Sequence, residues 1–245
     1  MNTPPPLRVI ISGSMGGIGK AIVQTLAQEG AKLGLLYHST RPEEVASFLA
    51  TLTGSGHMAV QTDLSNPESA ADAVGKCIEA LDGIDVCIHA ATSKIVRKRA
   101  SEISPEDFKK EFDVGVFGAF NLLHAIIPHF KEQEHGSIIA ITSAGIEQGA
   151  VAGPMAGYLA AKHALRGLLR DLSQELSPTH IAVNAVAPGF VDTSLHEDLP
   201  GRVRDFMRER ASVSSQDVAV VVKALLSSQI TGMSYPVPAG EPKPL

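Results

Sequence analysis

Apolar residues along this chain come in short unbroken runs, separated by longer stretches in which they recur every third or fourth position. The unbroken runs are Leu7–Ser12 (LRVIIS), Lys32–Tyr37 (KLGLLY), His57–Thr62, Ile84–His89 (IDVCIH), Ser137–Thr142 (SIIAIT) and Ile181–Val186 (IAVNAV). Each reads as a strand buried on both faces. A last short strand is expected around Val237. The periodic stretches predict helices over Gly17–Glu29, Arg41–Leu52, Pro67–Leu81, Pro105–Phe130, Met155–Leu176 and Gln216–Ser227. Pro105 sits where a first helical turn accepts proline, and Gly30 ends the first helix. Strand and helix alternate strictly, which predicts an α/β fold: a doubly wound parallel sheet with helices on both faces. In such a sheet the ligand crevice lies at the carboxyl ends of the strands. No linker interrupts the pattern, so residues 1–245 read as a single domain.

Composition narrows the function more than the fold. The 245 residues suffice for one sizeable core, and 44% hydrophobic with 19% charged residues is ordinary for a water-soluble domain. A formal net charge of −5 argues against a nucleic-acid or anionic-membrane partner. The two cysteines, Cys77 and Cys87, form no CxxC pair and have no histidine cluster beside them. That excludes a disulfide framework and a metal site, and makes a reducing cytoplasm the expected location. The opening segment MNTPPPLRVII has too short an apolar run for a signal peptide, and no run reaches membrane-spanning length.

The stretch SGSMGGIGKA, Ser12 to Ala21, lies between the first strand and the first helix and carries four glycines. A helix N-terminus there offers unpaired N–H groups and the positive end of the helix dipole. Glycines let the backbone approach a pyrophosphate closely, so this turn reads as a dinucleotide cradle of a Rossmann-type domain. A tight strand–helix turn without a ligand would look the same in isolation. The spacing Gly13, Gly17, Gly19 is GxxxGxG rather than GxGxxG. After the second strand the chain reads Tyr37-His38-Ser39-Thr40-Arg41, with no carboxylate until Glu43. An acidic residue there would bond a ribose 2′-hydroxyl; Ser39 and Arg41, with His38, suit a 2′-phosphate instead, so NADP(H) is expected over NAD(H). Further on, Tyr158 and Lys162 form YxxxK, two residues on one helical face. A lysine ammonium beside a phenol favours the phenolate, so Lys162 is expected to lower the pKa of Tyr158 toward proton exchange near neutrality.

These motifs resemble the short-chain dehydrogenase/reductase family over essentially the whole chain, with Ser12 in place of the usual threonine of TGxxxGIG. In pattern the chain is most similar to 3-oxoacyl-thioester reductases and related ketoreductases. The resemblance assigns catalysis to Ser143, Tyr158 and Lys162, with neighbouring Thr142 as an alternative to Ser143. It assigns the cofactor to Gly13, Ser14, Gly17, Ile18, Gly19, Asp63 and Leu64, to Ala90 and Ala91, and to Pro188, Gly189, Val191 and Thr193, besides Tyr158 and Lys162 themselves. Asp63 also reads as a helix cap. The segment 194–212 corresponds to a substrate lid, and its arginines 202, 204, 208 and 210 read as a solvated helix face. The basic residues Lys94, Arg97, Lys98 and Arg99 suit either an acidic carrier protein or a solvated loop. The substrate implied is a carbonyl compound, carried by a carrier protein or coenzyme A or free, and the assembly implied is a homodimer or homotetramer. The stripe Ala160, Ala161, Ala164, Leu165 and Leu168 fits a subunit face, and equally a helix packed on its own sheet.

The pattern departs in three places. The family's NNAG reads His89-Ala90-Ala91-Thr92, and the closing TG…VDGG carries Pro238 and Ala239. Gly115 stands where the family has an asparagine that holds a water of the proton relay. Gly115 and the altered His89–Thr92 motif leave one alternative to the reductase, a catalytically weak cofactor-binding subunit or sensor; separately, the same fold and site also suit epimerisation or dehydration. The interval from Ser143 to Tyr158 is slightly longer than usual, which places extra residues in Ala144–Gly157 beside the substrate.

Overall fold

The computed structural model describes residues 5–148, 153–226, 228–238 and 240–245. The strands are β1 (Arg8–Ser12), β2 (Lys32–Tyr37), β3 (Met58–Gln61), β4 (Val86–His89), β5 (Gly136–Ile141), β6 (Ile181–Pro188), β7 (Phe190–Val191), β8 (Ser212–Val213), β9 (Met233–Val237) and β10 (Lys243–Pro244). The helices are α1 (Gly17–Gln28), α2 (Pro42–Leu49), α3 (Pro67–Leu81), α4 (Pro105–Phe112), α5 (Gly118–Glu132), α6 (Gly145–Gln148), α7 (Ala156–Glu175), α8 (Gly201–Ala211) and α9 (Ser215–Leu225). Eight strands form one sheet in the order β10-β9-β6-β5-β4-β1-β2-β3, and only β10 runs antiparallel. β7 and β8 make a separate parallel pair that contacts α8.

Alternate residues of each strand point to opposite faces, and each face has its own apolar core. Ile10, Cys87, Ile138 and Val183 pack with α3, α5 and α7 on one side. Val9, Ile11, Ile88, Ile139 and Val186 pack with α1 and α9 on the other. The strand order reverses between β1 and β4, so the connections leave the sheet in opposite directions there and a crevice opens at their carboxyl ends. This is the single-domain doubly wound sheet that the run pattern predicts.

Local signals explain the helix bounds. Asn66 caps α3, its Oδ1 accepting from the N–H groups of Glu68 and Ser69, and Pro67 fills the first helical position. Ser214 and Asp217 form a reciprocal capping box on α9. The predicted helix Pro105–Phe130 has a break in its middle: α4 and α5 are joined by a π-helical turn, Asp113–Phe117. Gly115, a weak helix former, is buried at its centre. The turn adds one residue to the helix and offsets the faces of α4 and α5, a device recurrent at functional sites. No described helix is long and apolar enough to cross a membrane.

Candidate active site

A cleft of about 480 Å³ lies over the switch point of the sheet. Its floor is the glycine turn, and the geometry shows why each glycine is there. Gly13 has φ +66, and a Cβ on it would lie 2.6 Å from the Ala91 backbone nitrogen across the switch point. A Cβ on Gly17 would lie 2.4 Å from Cγ2 of Thr193, and one on Gly19 would collide with the Gly13 carbonyl oxygen. These glycines therefore draw together the ends of β1 and β4, the start of α1 and the segment after β7. α1 begins at Gly17 with no side-chain cap and no acidic residue in its first turn. Its first N–H groups, which have no partner within the helix, are left for an anion. That cradle fits the diphosphate of a dinucleotide.

Of the expected cofactor residues, Gly13, Gly17, Ile18, Gly19, Asp63 and Leu64 line the cleft, as do Ala90, Ala91 and Thr193. His38 and Ser39 line it beyond the end of β2. Five expected residues have other places, and Tyr158 and Lys162 are not among the lining residues either. Ser14 is buried and donates its hydroxyl to the Leu36 carbonyl, tying the turn to β2. Arg41 is the exposed N-cap residue of α2, outside the cleft wall. Pro188 ends β6, Gly189 links it to β7 and Val191 ends β7, none of them among the lining residues: Gly189 donates its N–H to the Val237 carbonyl, and Val191 is buried in the second core. Asp63 does not cap α3, because Asn66 does; its carboxylate accepts from the Ser65 N–H and hydroxyl, which hold it below the usual carboxylate range. The cleft wall also includes Met15, Thr40, Thr62, Ser93, Lys94 and Val114. Apart from Lys94, which belongs to the basic cluster after β4, none of these carries a sequence signal beyond its neighbourhood to a motif.

Ser143, Tyr158 and Lys162 converge beside this cleft. Ser143 follows β5; its hydroxyl accepts from the Gly145 N–H at 3.2 Å and lies near enough to the Tyr158 phenol to pull its pKa down. Lys162, one helical turn past Tyr158 on α7, is fully buried and donates to the Ile141 carbonyl at 2.7 Å. Its Nζ lies 5.6 Å from the centre of the Tyr158 ring. Thr142 points away, donating to the Val186 carbonyl, which favours Ser143 of the two hydroxyls. The pKa of Tyr158 runs opposite to the expectation. Burial pushes the phenol up to about 12, the Ser143 hydroxyl pulls it down and the Glu111 carboxylate pushes it up. Lys162 is brought down to about 8, again by burial, with Glu111 acting to raise it. The lysine does not lower the phenol because its own ammonium is disfavoured in the same dry surroundings.

Around the triad the basic residues are engaged. The Arg97 guanidinium reaches His196 Nδ1 at 2.6 Å and pairs with Asp198, joining the segment after β4 to the lid. Burial, with Arg97 beside it, takes His196 down to about 4, so it meets Arg97 as a neutral acceptor at ordinary pH. Arg204 and Arg208 of α8 both pair with Asp192 just after β7, and Arg208, like Arg202, stays exposed on the expected solvated face. Lys98 pairs with Asp107 at the surface. His89 is wholly buried; its Nδ1 lies 2.9 Å from the Ser12 hydroxyl and its Nε2 has no partner among the described residues. Burial takes it down to about 3, with Lys162 adding to the effect, so it is neutral. Asn184 is structural, donating to Ile230 and accepting from the Met233 N–H. Part of the expected extra loop, residues 149–152, lies outside the described residues, as does Ala239.

A doubly wound sheet with a glycine cradle at its switch point, and a serine, tyrosine and lysine beside it, defines a nicotinamide-dependent oxidoreductase. The family profile for short chain dehydrogenase matches residues 8–202, and the chain belongs to that family. It is an NAD(P)-dependent enzyme of that class. It is 28% identical over 242 residues to a 3-oxoacyl-[acyl-carrier-protein] reductase of Thermotoga maritima, covering 94% of this chain and 96% of that protein. An uncharacterized oxidoreductase of Schizosaccharomyces pombe is 29% identical over 134 residues, 55% of this chain and about half (51%) of that protein. Among solved structures, the 3-ketoacyl-(acyl-carrier-protein) reductase of Brucella melitensis complexed with NADH superposes with a TM-score of 0.84 at 26% identity, over 94% of this chain and 96% of that one.

Proposed function

We propose that this protein is an NADP(H)-dependent ketoreductase that interconverts a ketone, such as a 3-oxoacyl thioester, and a secondary alcohol. The observation that carries the reading is the placement of Tyr158 and Lys162 on one face of α7, with Lys162 Nζ 5.6 Å from the centre of the phenol ring and the Ser143 hydroxyl acting on the same phenol. A nicotinamide bound in the cleft supplies the hydride. Ser143 donates a hydrogen bond to the carbonyl oxygen, and Tyr158 delivers a proton to it. A phenol held at about 12 stays protonated at neutral pH, which is the form a donor needs. Lys162, near 8, exchanges protons close to neutrality and can restore the one Tyr158 gives up. The protein is expected to oxidise NADPH only when a ketone is supplied, one NADPH per carbonyl reduced.

The cofactor preference rests on the wall after β2, where His38, Ser39 and Thr40 face the cleft and no carboxylate intervenes before Glu43. Arg41, exposed at the start of α2, adds a cation at the rim. NADPH is expected to bind at least roughly tenfold tighter than NADH, and Ser39→Asp to reverse the order by repelling the 2′-phosphate and accepting from a ribose hydroxyl. Fluorescence titration with both nucleotides reads this directly; equal affinities in the wild type would remove the NADP assignment.

Gly115 bears on the rate. A Cβ there would meet only Cβ of Ala161, at 3.8 Å, an ordinary contact. Gly115→Asn is therefore expected to fold and, by restoring the relay residue of the family, to raise kcat by about tenfold. An unchanged kcat in steady-state assay would show that other groups carry the relay.

The reading extends to assembly and location. Phe117 and Phe120 are exposed on the outer side of the π turn and α5, and Ala160, Ala164 and Leu168 are half-exposed on α7, whereas Ala161 and Leu165 face the sheet. This apolar outer surface suits a homodimer or homotetramer. Cys77 and Cys87 are buried free thiols, consistent with a reducing cytoplasm.

A further inference from the structure

Glu111 sits in the last turn of α4, just before the π turn, and is only 2% exposed. Burying a carboxylate is costly unless its oxygens are hydrogen-bonded, and both are. One accepts from the Ser93 hydroxyl at 2.7 Å and the other from the Val96 N–H at 2.8 Å. Ser93 itself lines the cofactor cleft. The segment Thr92–Arg99 has no helix or strand of its own, and Glu111 fastens its buried part, Ser93–Val96, to α4, while the surface pair Lys98–Asp107 ties its far end to the same helix. On its other side the side chain packs against the start of α7: a Cβ on Gly157, the residue before Tyr158, would lie 3.1 Å from Cγ of Glu111. The carboxylate thus stands between the wall and the pair Tyr158 and Lys162, and its charge acts on both. Nothing in the chemistry derived above uses it, and a mere fastening would not need a buried charge: a neutral amide could accept from the Val96 N–H with its oxygen and donate its NH2 to a Ser93 hydroxyl turned round as acceptor.

We propose that Glu111 is a positioning residue of this active site: its carboxylate anchors the Ser93–Val96 wall and serves as the buried counter-charge of the Tyr158–Lys162 pair. The inference deepens the reductase reading and rests on its assignment of those two residues. A negative charge here opposes loss of the Tyr158 proton and favours the charged form of Lys162 in a place where burial alone would strip it. The other groups that face the pair are few. Arg97 acts on Tyr158 from the segment after β4, Ser143 acts on it from the end of β5, and neutral His89 lies on β4 near Lys162. The charges on Glu111's own helix are turned outward into surface pairs, Lys109 with Asp113 and Lys110 with Asp107. Glu111 is therefore the anion of this neighbourhood that can hold Lys162 protonated.

The test is a lysine-selective 13C NMR titration of the whole chain between pH 6 and 10, with the Lys162 signal assigned by its loss in Lys162→Arg. It needs no substrate, so its result stands apart from whether the protein reduces ketones. The wild-type midpoint is expected near 8. Glu111→Gln, which keeps the shape and can keep both partners once the Ser93 hydroxyl turns from donor to acceptor, is expected to lower it by about one pH unit, a tenfold loss of protonated lysine above the midpoint. Glu111→Asp, which keeps the charge, is expected to leave it close to wild type. An unmoved midpoint in a folded Glu111→Gln protein would reduce Glu111 to a structural fastening and overturn the proposal. If glutamine prevents folding, wild-type glutamate 13C carboxyl spectra carry the same test. One resonance is expected to step at the Lys162 midpoint, and the absence of any such step overturns the proposal.

Discussion

Replacing Tyr158 by phenylalanine is expected to reduce kcat by roughly a thousandfold, the range a positioned general acid supplies, while changing the NADPH dissociation constant by less than about twofold. The substitution removes one oxygen and keeps the ring, so the contact with Lys162 on α7 survives, as does the Lys162 hydrogen bond to Ile141. Ser143 retains the Gly145 N–H. The cradle of α1 is untouched, because Tyr158 contributes nothing to it. Loss of turnover with binding preserved is therefore the specific signature of a missing proton donor. Steady-state rates with NADPH and nucleotide titration of the same preparation check it. A Tyr158→Phe protein that still turned over would remove the mechanism.

The second large effect is expected at Gly19. A Cβ there would be placed against the Gly13 carbonyl oxygen and 2.9 Å from Cα of Ser14, both backbone atoms of a turn with no room to yield. Gly13 cannot retreat, since it already sits against Ala90 and Ala91 across the switch point. Gly19→Ala must push the glycine turn off the start of α1. Overpacking of this kind costs about 2–3 kcal/mol, or roughly 4–10 °C in Tm for a chain of this size. Displacing the turn also misaligns the first N–H groups of α1, and losing two charge-assisted hydrogen bonds corresponds to about a hundredfold weaker nucleotide binding. Gly167→Ala is a matched control: that glycine lies on α7 with open space around it, so added helix propensity is expected to be neutral or slightly stabilising. Thermal unfolding and nucleotide titration distinguish the two.

Most of the architecture is visible in the sequence because each buried strand is an unbroken apolar run and each helix carries local punctuation. Pro67 and Leu81 bound α3 as predicted, and Lys32–Tyr37 is β2 as predicted, since caps and turns mark their ends. The π turn at Asp113–Phe117 is invisible because apolar periodicity continues through it, and a one-residue offset is smaller than the tolerance of such a pattern. The two-residue strands β7, β8 and β10 are too short to carry any period. In the site, motif spacing identifies Tyr158, Lys162 and the glycines, because their roles depend on positions along one helix or one turn. The acidity of Tyr158 is illegible, since it is decided by burial and by residues distant in sequence, Glu111 and Arg97. Glu111 itself looks like one more acid on an amphipathic helix; only the fold turns it inward. The pairs Arg97–His196 and Arg204–Asp192 escape notice for the same reason, as each joins elements that no local pattern relates.

The measurement that bears most directly on the central claim is NADPH oxidation by the wild-type protein against a small panel of 3-oxoacyl thioesters and cyclic ketones, with NADH in parallel. The account predicts turnover with at least one of these carbonyls, faster with NADPH than with NADH, and one alcohol formed per NADPH consumed. NADPH bound tightly with no carbonyl of the panel reduced would contradict it.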